Sequence, residues 1–393
     1  MKKLTSKVLV LWCGGWLVAF WLSYAVSPRV PEVIGNRPVA AYPEAATVMS
    51  PEWSRGAAAW AIERSPFRVG AISWRNRVWY EVARVAQPLP VCPGSGEVSM
   101  GRGGWLFLLE DVPEGRSRRE METMVEQAVE LARVVERSGR RFVLCPIPDK
   151  TSVYPEFTGT LHRWADRGSR RGELPGRMRA AFEGAGDVRE SYVPLWEVFA
   201  ERKGEGGELL YLKHDTHWSP TGRLTGVRQL IEGMQSGLWE PGAVHDEGVV
   251  GHPGELMAGQ LLLNDATLAR DYAVRREGPQ PVLVSSVRVP GYGFPAIERY
   301  RCAHPRVIRG RTLMISDSFA LGSMEEIAPW FEDITFAHFS YTGSDELAGR
   351  IRECETMVFT SVERFLRWRL NVWRTGRKGY IEGALVRDGG WSK

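Results

Sequence analysis

Cysteine is scarce in this sequence, with five residues in a chain of 393. Five cysteines are too few for a disulfide scaffold, and no two of them have the Cys-x-x-Cys spacing of a structural zinc site. Internal repeats with a period of about 20–50 residues and low-complexity tracts are also absent. These absences exclude small disulfide-stapled proteins, zinc ribbons and repeat arrays.

An excess of charge of one sign is missing as well. The chain has 51 Lys and Arg against 47 Asp and Glu, which gives a formal net charge of +4 at pH 7. This balance excludes a dedicated nucleic-acid-binding protein, because such a protein carries a large positive surplus. Hydrophobic residues make up 44% of the chain and charged residues 25%, which is typical of a folded protein with one large domain or two modest ones.

An uncharged run of 19 residues, Val8–Val26, follows three lysines at the N-terminus. As a helix this run is about 28 Å long, enough to cross the hydrocarbon core of a bilayer. Lysines favour the cytoplasmic side, so we expect the body in the periplasm, anchored to the inner membrane by an N-terminal transmembrane helix. Ala25-Val26-Ser27 resembles a cleavage site, and a cleaved signal peptide therefore stays open as the alternative.

Four cysteines remain beyond Cys13, which lies inside that run. Cys145 and Cys354 lie in apolar, strand-like stretches and are predicted to be buried thiols. Cys92 and Cys302 lie in loop-like stretches, and an exported protein can form disulfides. Sequence does not choose among the possible pairings, but Cys92 with Cys302 is the pair that we expect if any bridge forms.

The composition and the hydrophobic pattern of the sequence divide the chain into four parts. After the membrane anchor at 1–27, residues 28–95 carry scattered Pro, Arg and Trp and predict a spacer with short helices. Residues 96–375 predict the main domain, with a Gly/Pro-rich elaboration at 240–308 between its core elements. Residues 376–393 form a C-terminal tail.

Strand-like and helix-like patterns alternate through the main domain, which predicts an α/β fold with a parallel sheet covered by helices on both faces. In such sheets ligands bind at the carboxyl ends of the strands. The predicted helices cover 118–138 and a segment that starts at Ser219-Pro220. The predicted strands are Phe142–Ile147, Leu209–Leu212, Thr312–Ile315, Ile334–Phe339 and Met357–Thr360.

Polar residues at two predicted strand exits suggest a nucleophilic site. Asp215 and His217 lie two positions apart, so in an extended segment the carboxylate can hold the imidazole N–H and stabilise its charged form. Ser318 lies where a predicted strand turns into a helix, with its hydroxyl exposed and its N–H among the free donors of the helix start. Together the three residues predict a Ser-His-Asp triad.

Each of these residues also has a structural interpretation. Ser318 and Asp215 are residue types that cap helices and turns, and His217 could be a satisfied buried histidine. A metal site built from His214, Asp215 and His217 is the rival chemical interpretation, with His245-Asp246 or His252 as a further ligand. Consecutive His214 and Asp215 cannot easily face one ion, so the triad is the interpretation that we favour.

Six short blocks of residues follow one another across residues 96–375. They are Gly104-Trp105-Leu106-Phe107, Pro146-Ile147-Pro148-Asp149-Lys150, Tyr154-Pro155-Glu156, Tyr211 with Asp215-Thr216-His217-Trp218, Gly254-Glu255-Leu256, and Ser316-Asp317-Ser318-Phe319. In order and rough spacing these blocks resemble the alginate O-acetyltransferase AlgJ/AlgX family. The Asp-Thr-His-Trp block is the most specific of them.

The resemblance implies an SGNH-hydrolase-like α/β/α sandwich that moves acetyl groups onto an exported polysaccharide. By motif, Asp215 and His217 match the acid–base pair and Ser318 matches the nucleophile that carries the acetyl group. The pair precedes the serine, as in that family and in reverse of ordinary SGNH esterases. The resemblance also implies a membrane-bound O-acyltransferase partner as the acetyl donor, and we expect no cofactor and no metal.

The sequence departs from the family pattern in two places. Ser316 occupies a position where glycine is usual, and the four asparagines of the chain do not lie in an obvious oxyanion loop. The second oxyanion donor is therefore unassigned. No carbohydrate-binding module follows the domain, so the anchored AlgJ-like form is the expected one.

Lys150, Trp218 and Tyr341 are the residues that we interpret as substrate contacts. Lys150 could attract an acidic sugar and Trp218 could stack on a sugar ring, although a solvated lysine and a packed tryptophan are the commoner uses of these residue types. Two other functions stay open. The same triad would serve a carbohydrate acetylesterase, and a non-catalytic scaffold of a polysaccharide secretion complex could retain it as a relic.

Overall fold

A computed structural model describes residues 33–34, 37–38, 50–63, 65, 68–86, 98–111, 117–165, 171–288, 295–375 and 380–386. The predicted membrane run Val8–Val26 and Cys92 lie outside the described residues, as does the predicted Cys92–Cys302 bridge. Among the described helices, none is both long enough and apolar enough to span a bilayer.

The strands of the described chain are mostly short. In chain order they are β1 (Val33–Ile34), β2 (Arg37–Pro38), β3 (Val98–Met100), β4 (Leu106–Leu108), β5 (Arg141–Ile147), β6 (Val244–His252), β7 (Thr267–Val274), β8 (Val282–Val287), β9 (Ile297–Arg301), β10 (Ile308–Ser316), β11 (Phe331–His338) and β12 (Thr356–Val362).

The helices fall between these strands. They are Pro51–Glu63, Arg68–Ala86, Arg118–Arg137, Lys150–Val153, Thr160–Ala165, Leu174–Gly184, Leu195–Arg202, Pro220–Met234, Ser318–Leu321, Met324–Ile327, Asp345–Glu353, Glu363–Thr375 and Tyr380–Val386, with a π-helical turn at Glu255–Gln260. The predicted helices at 118–138 and from Ser219 are confirmed, and serines cap both. Ser117 accepts a hydrogen bond from the N–H of Glu120, and Ser219 accepts one from that of Gly222.

Six of the described strands form one sheet in the order β5-β12-β10-β11-β9-β8. The four strands β5, β12, β10 and β11 are parallel, and β9 and β8 are antiparallel to their neighbours. The sheet is therefore mixed rather than parallel as predicted. The short connection between β8 and β9 makes these two strands antiparallel, because only a longer crossover can return a chain to a parallel neighbour, and β9 in turn pairs antiparallel with β11.

Two hydrophobic cores cover the opposite faces of this sheet. Alternate residues of β5 show the division, since Val143 and Cys145 belong to one core and Phe142 and Leu144 to the other. The first core packs against helices Leu195–Arg202 and Pro220–Met234, and the second against Arg118–Arg137, Leu174–Gly184 and Glu363–Thr375. The strand β12 is buried along its whole length, as expected when helices cover both faces. The result is a three-layer α/β/α arrangement.

The predicted strand Leu209–Leu212 is wrong. In the structure this segment makes only an isolated bridge, between Tyr211 and Trp218. The N–H of Ser219 also donates to the carbonyl of Leu210 at 2.9 Å. These bonds close the intervening residues into a loop that folds back on itself. Asp215 and His217 therefore lie on a closed loop and not at the exit of a sheet strand.

Candidate functional site

Ser318 opens the short helix that follows β10, and Asp317 fixes the turn that presents it. One carboxylate oxygen of Asp317 accepts a hydrogen bond from the N–H of Phe319 at 3.2 Å. The other accepts bonds from the N–H of Val362 at 2.8 Å and from the guanidinium of Arg369 at 2.9 Å. Asp317 is buried. Its hydrogen bonds tie the turn to the end of β12 and to the helix that follows, and they fix the orientation of Ser318.

The structure brings Ser318, His217 and Asp215 into one hydrogen-bonded chain. Oγ of Ser318 lies 2.9 Å from Nε2 of His217, and Nδ1 of that ring lies 3.0 Å from Oδ1 of Asp215. An ionised carboxylate only accepts hydrogen bonds, so Nδ1 carries the ring proton and Nε2 is free to accept the serine hydroxyl. The three residue positions predicted from sequence thus meet in the geometry that proton transfer from the serine requires.

The backbone of the loop adds a second bond that orients Asp215. Its Oδ1 also accepts the backbone N–H of His217 at 2.8 Å, and its Oδ2 accepts the N–H of Glu255 at 2.8 Å. Both oxygens of the carboxylate are therefore held by donors. The carboxylate cannot rotate away from the imidazole without breaking one of these bonds.

Glu255 is a residue of the site that the sequence prediction did not include among the site residues. Its Oε2 lies 3.4 Å from Nδ1 of His217 and accepts a hydrogen bond from Oγ1 of Thr216 at 3.1 Å. The imidazole thus faces two carboxylates. The signal in the sequence was the Gly254-Glu255-Leu256 block, but 38 positions separate Glu255 from His217, and only the folded chain joins them.

The π-helical turn at Glu255–Gln260 holds the loop through its backbone. The carbonyl of His214 accepts hydrogen bonds from the N–H groups of Leu256 at 3.1 Å and Met257 at 3.3 Å. Gly254 precedes this turn with φ +72° and lies so close that a Cβ there would be 2.4 Å from the carbonyl oxygen of His214. A glycine is needed at this position because other residues avoid that φ and have no space for a side chain.

The electrostatics of the site favour an ionised acid beside a basic imidazole. Burial opposes charge on Asp215, but the hydrogen bonds from His217 and from the N–H of Glu255 outweigh it and lower its pKa to about 2. Burial also opposes charge on His217, yet its bond to Asp215 and the charges of Asp215 and Glu255 raise its pKa above the usual value. The imidazolium that forms during proton transfer is thereby stabilised.

The helix start offers fewer oxyanion donors than the sequence suggested. The N–H of Phe319 is engaged by Asp317, so it does not face a substrate. The N–H of Ser318 precedes the first intrahelical bond and has no acceptor within the helix. This N–H is the donor of the turn that can reach the oxyanion of an acyl group whose carbon is bonded to Oγ of Ser318.

The rival metal site is not assembled. His214 is turned away from His217, with Nε2 at 3.2 Å from the hydroxyl of Tyr80 and Nδ1 at 3.3 Å from Oγ1 of Thr267. Within the described residues, the group able to hold a metal consists of Asp215, His217 and Glu255, and it includes neither His245 nor His252. Its members already bond to one another through the ring proton on Nδ1, which a metal would have to replace.

Lys150 does not face solvent, which contradicts its predicted contact with a sugar. Its side chain is fully buried, and Nζ donates hydrogen bonds to the carbonyls of Leu106, Lys213 and Asp215. The three N–H groups of the ammonium are all occupied, so none is left for a ligand. The prediction failed because residues 44 to 65 positions away supply the acceptors.

Trp218 also packs inside the protein instead of lining a groove. It is 9% exposed, and its ring meets that of Phe319 edge-on with centroids 5.5 Å apart. A Cβ added at Gly226 would lie 2.7 Å from the indole, so the helix Pro220–Met234 presses directly on it. The ring supports the turn that carries Ser318 and is not available to stack on a sugar.

Tyr341 remains accessible near the edge of the sheet that carries the site. It ends the turn Phe339–Tyr341 after β11, which pairs with β10 up to Ser316 and His338. Its side chain is partly exposed and packs against the second core. Its contact with substrate stays a prediction.

Comparison with known proteins relates the region around the loop to a described family. Residues 98–273 match the family described as "SGNH hydrolase-like domain, acetyltransferase AlgX", a range that includes Asp215, His217 and Glu255 and ends before Ser318. The chain is 30% identical over 137 residues to a protein of Pseudomonas aeruginosa named "Probable alginate O-acetylase AlgJ". This similarity covers 35% of the chain and 33% of the relative, so the chain spans about a third of that curated protein's length.

Among solved structures, one neighbour supports the same fold, and a second has a lower similarity. The structure of Bacillus cereus PatB1 superimposes with a TM-score of 0.52 at 16% identity, over 67% of this chain and 94% of that one. The O-acetyltransferase domain of Pseudomonas putida AlgJ has a TM-score of 0.44 at 16% identity, over 69% of this chain and 92% of that one. The family match and the curated relative confirm the resemblance first seen in the sequence blocks.

Proposed function

Because the chain is AlgJ/AlgX-like and carries an SGNH-like α/β domain, we propose that it is an acyltransferase that places acetyl groups on an exported polysaccharide. The observation that carries the proposal is the hydrogen-bonded chain Asp215–His217–Ser318, with links of 3.0 and 2.9 Å. The proposed roles follow from that chain. Ser318 is the nucleophile, His217 the general base and acid, and Asp215 the residue that orients and charges the imidazole.

In the first half-reaction the acetyl group moves from the donor to the enzyme. Nε2 of His217 takes the hydroxyl proton of Ser318 while Oγ bonds to the acetyl carbon. The oxyanion on that carbon is stabilised by the N–H of Ser318. The bond to the donor's oxygen then breaks, and the imidazolium returns its proton to that oxygen. Acetyl-Ser318 remains on the enzyme.

In the second half-reaction a sugar hydroxyl replaces the serine. His217 takes the proton of the hydroxyl as its oxygen attacks the acetyl carbon, and the ester bond to Ser318 breaks. The proton passes from His217 to Oγ, which restores the enzyme. Asp215 and Glu255 stabilise the imidazolium in both halves, because each contributes negative charge beside Nδ1.

The donor, the acceptor and the compartment belong to this proposal. The relative's name points to alginate as the first acceptor to test. Acetyl-coenzyme A is not expected outside the cytoplasm, so a membrane-bound O-acyltransferase partner supplies the acetyl group. The run Val8–Val26 anchors the chain in the inner membrane with the domain in the periplasm. No cofactor is needed in this scheme.

The experiment that tests the function measures acceptor dependence. The purified full chain is incubated with p-nitrophenyl acetate, with and without alginate oligosaccharides, and acetylated sugar is detected by mass spectrometry. We expect nitrophenol release to rise when sugar is added and Ser318→Ala to abolish transfer, while the control Ser340→Ala transfers normally. Release that is independent of sugar would identify an acetylesterase instead, and retained transfer by Ser318→Ala would remove Ser318 from the site.

A labelling experiment addresses the scaffold alternative. A serine-reactive phosphonate bonds to a nucleophile that is activated by a neighbouring base. We expect the label on Ser318 by peptide mapping and its loss in His217→Ala. An unlabelled Ser318 in the unsubstituted chain would favour a non-catalytic scaffold.

A further inference from the structure

Lys150 is a buried cation that the proposed reaction does not use. Its side chain has no exposed surface, and within the described part of the chain its ammonium bonds to main-chain carbonyls and not to a carboxylate. Burying a charge costs free energy unless hydrogen bonds and other polar contacts compensate it. An unpaired ammonium in this position therefore needs a structural reason.

The reason lies in the three carbonyl groups that surround Nζ. They belong to Leu106 at 2.7 Å, Lys213 at 2.9 Å and Asp215 at 2.9 Å. Leu106 is on β4, whereas Lys213 and Asp215 belong to the loop that carries the triad's acid and base. An ammonium has three N–H donors, and here each has one acceptor. No neutral side chain of similar length can donate to all three.

Two aromatic rings compensate the charge further. Nζ lies 5.0 Å from the ring centroid of Trp105 and 5.0 Å from that of Phe107. Trp105 is itself fixed by stacking on Phe157 with centroids 4.5 Å apart. The ammonium is thus held in place by groups that do not belong to the loop, so it can act as a fixed point for the loop.

We infer that Lys150 is a positioning residue, which fixes the main chain of Asp215 so that the carboxylate of Asp215 meets Nδ1 of His217. The N–H of Glu255 holds the carboxylate of the same residue from the side chain, and Lys150 holds its carbonyl from the main chain. Burial lowers the pKa of Lys150 to about 7, against the charges of Asp215 and Asp111, so the ammonium with its three donors predominates below about pH 7. The inference goes beyond the proposed function and depends on it only for the turnover measurement below.

The test measures how fast Ser318 reacts with phenylmethanesulfonyl fluoride, which depends on the geometry of serine and imidazole and needs neither acetyl donor nor sugar. In the full chain, Lys150→Met is expected to lower this rate about 10- to 100-fold, since displacements near 1 Å have effects of that size. Lys150→Gln keeps two N–H donors and is expected to fall between Met and Lys. The control Lys203→Met removes a partly exposed lysine that pairs with Glu156 and is expected to react normally.

The kinetics of p-nitrophenyl acetate turnover distinguish a positioning role of Lys150 from a general structural role. We expect kcat to fall with the labelling rate while KM stays unchanged, because Lys150 is buried and does not touch substrate. A folded Lys150→Met or Lys150→Gln variant that reacts at the unsubstituted rate would overturn the inference. Loss of the folded state in both variants, judged by circular dichroism, would also overturn the inference. Lys150 would then be required for folding of the chain and not specifically for positioning the loop.

The outcomes separate this inference from the proposed function. A chain that reacts with the sulfonyl fluoride at Ser318 but transfers no acetyl group to sugar contradicts the acyltransferase proposal and leaves Lys150 as a positioning residue. A chain that transfers acetyl normally in Lys150→Met contradicts the inference and leaves the acyltransferase proposal intact.

Discussion

Oε2 of Glu255 lies 3.4 Å from Nδ1 of His217, on the side of the ring that Asp215 already occupies. The imidazole therefore has two carboxylates at one nitrogen and a serine hydroxyl at the other. Such an arrangement raises the pKa of His217 and stabilises its charged form. The pH dependence of the reaction follows from this contact.

Replacing Glu255 by Gln is expected to shift the acid limb of the pH profile to lower pH. His217 acts as a base only when neutral, so activity rises with pH through its pKa. Removal of the charge of Glu255 lowers that pKa, and the rise begins at a lower pH. The plateau also falls, since the imidazolium loses stabilisation. The profile of kcat/KM with p-nitrophenyl acetate measures both, and Glu346→Gln, an exposed residue paired with Arg350, is the control. An unmoved acid limb contradicts the role given to Glu255.

Asp215→Asn is expected to lower kcat about 10⁴-fold, the loss seen when the acid of a Ser-His-Asp triad is made neutral. The amide offers an N–H donor to Nδ1, which favours the tautomer with the proton on Nε2, where it can no longer accept from Ser318. Steady-state kinetics of p-nitrophenyl acetate measure the loss. A decrease of only a few fold would show that the carboxylate is not needed to set the tautomer.

The same carboxylate makes a prediction about stability in acid. The pKa of Asp215 is depressed to about 2 in the folded chain from its usual value of 3.8. Its contribution to stability is therefore complete above the unfolded pKa and is lost as pH falls through about 2. We expect the difference in urea stability between the unsubstituted chain and Asp215→Asn to shrink between about pH 4 and pH 2, as the carboxylate is protonated. The difference should also decrease as pH rises through the raised pKa of His217, because Asp215 then no longer has a charged imidazole to stabilise. A difference that grows between about pH 4 and pH 2 would contradict the assignment.

Gly254→Ala is expected to destabilise the protein by about 1–3 kcal/mol, because it combines a left-handed conformation with a clash against the His214 carbonyl. Since that carbonyl belongs to the loop of Asp215, activity should fall as well. Gly176→Ala is the matched control. Its Cβ would meet nothing within 4 Å, and alanine is favourable inside the helix Leu174–Gly184. Chemical denaturation compares the two, and equal stabilities would contradict the close approach at Gly254.

Arg369→Met is expected to destabilise the protein by about 3–5 kcal/mol, because it leaves the buried carboxylate of Asp317 without its cationic partner. The turn that presents Ser318 depends on this carboxylate, so Ser318 should also react more slowly with a sulfonyl fluoride. The control is Arg350→Met, which breaks the helix-surface pair with Glu346 and should cost less than about 1 kcal/mol. Similar stability losses in the two variants would contradict a special role for the buried pair.

Local patterns in the chain are enough to predict the four parallel strands of the sheet and two of its longer helices. The apolar run that became β5, the stripe and serine cap of helix Arg118–Arg137, and the start of helix Pro220–Met234 all follow from interactions among residues within a few positions of one another. The chemistry of the site can be predicted in the same way, because Asp, His and Ser are the residue types of a catalytic triad. Asp215, His217 and Ser318 supply its acid, base and nucleophile. The spacing of two between Asp215 and His217 already lets them touch.

The tertiary structure decides what those residues meet. The bridge between Tyr211 and Trp218 makes a closed loop of a predicted strand, and the antiparallel pairs β9–β11 and β8–β9 make the sheet mixed instead of parallel. Glu255 joins the imidazole, and Lys150 leaves the solvent, only because segments far apart in the chain pack together. Hydrophobic periodicity and helix capping depend on residues that are close together in the sequence. Burial and the partners of a charge depend on long-range contacts, which no short window of sequence contains.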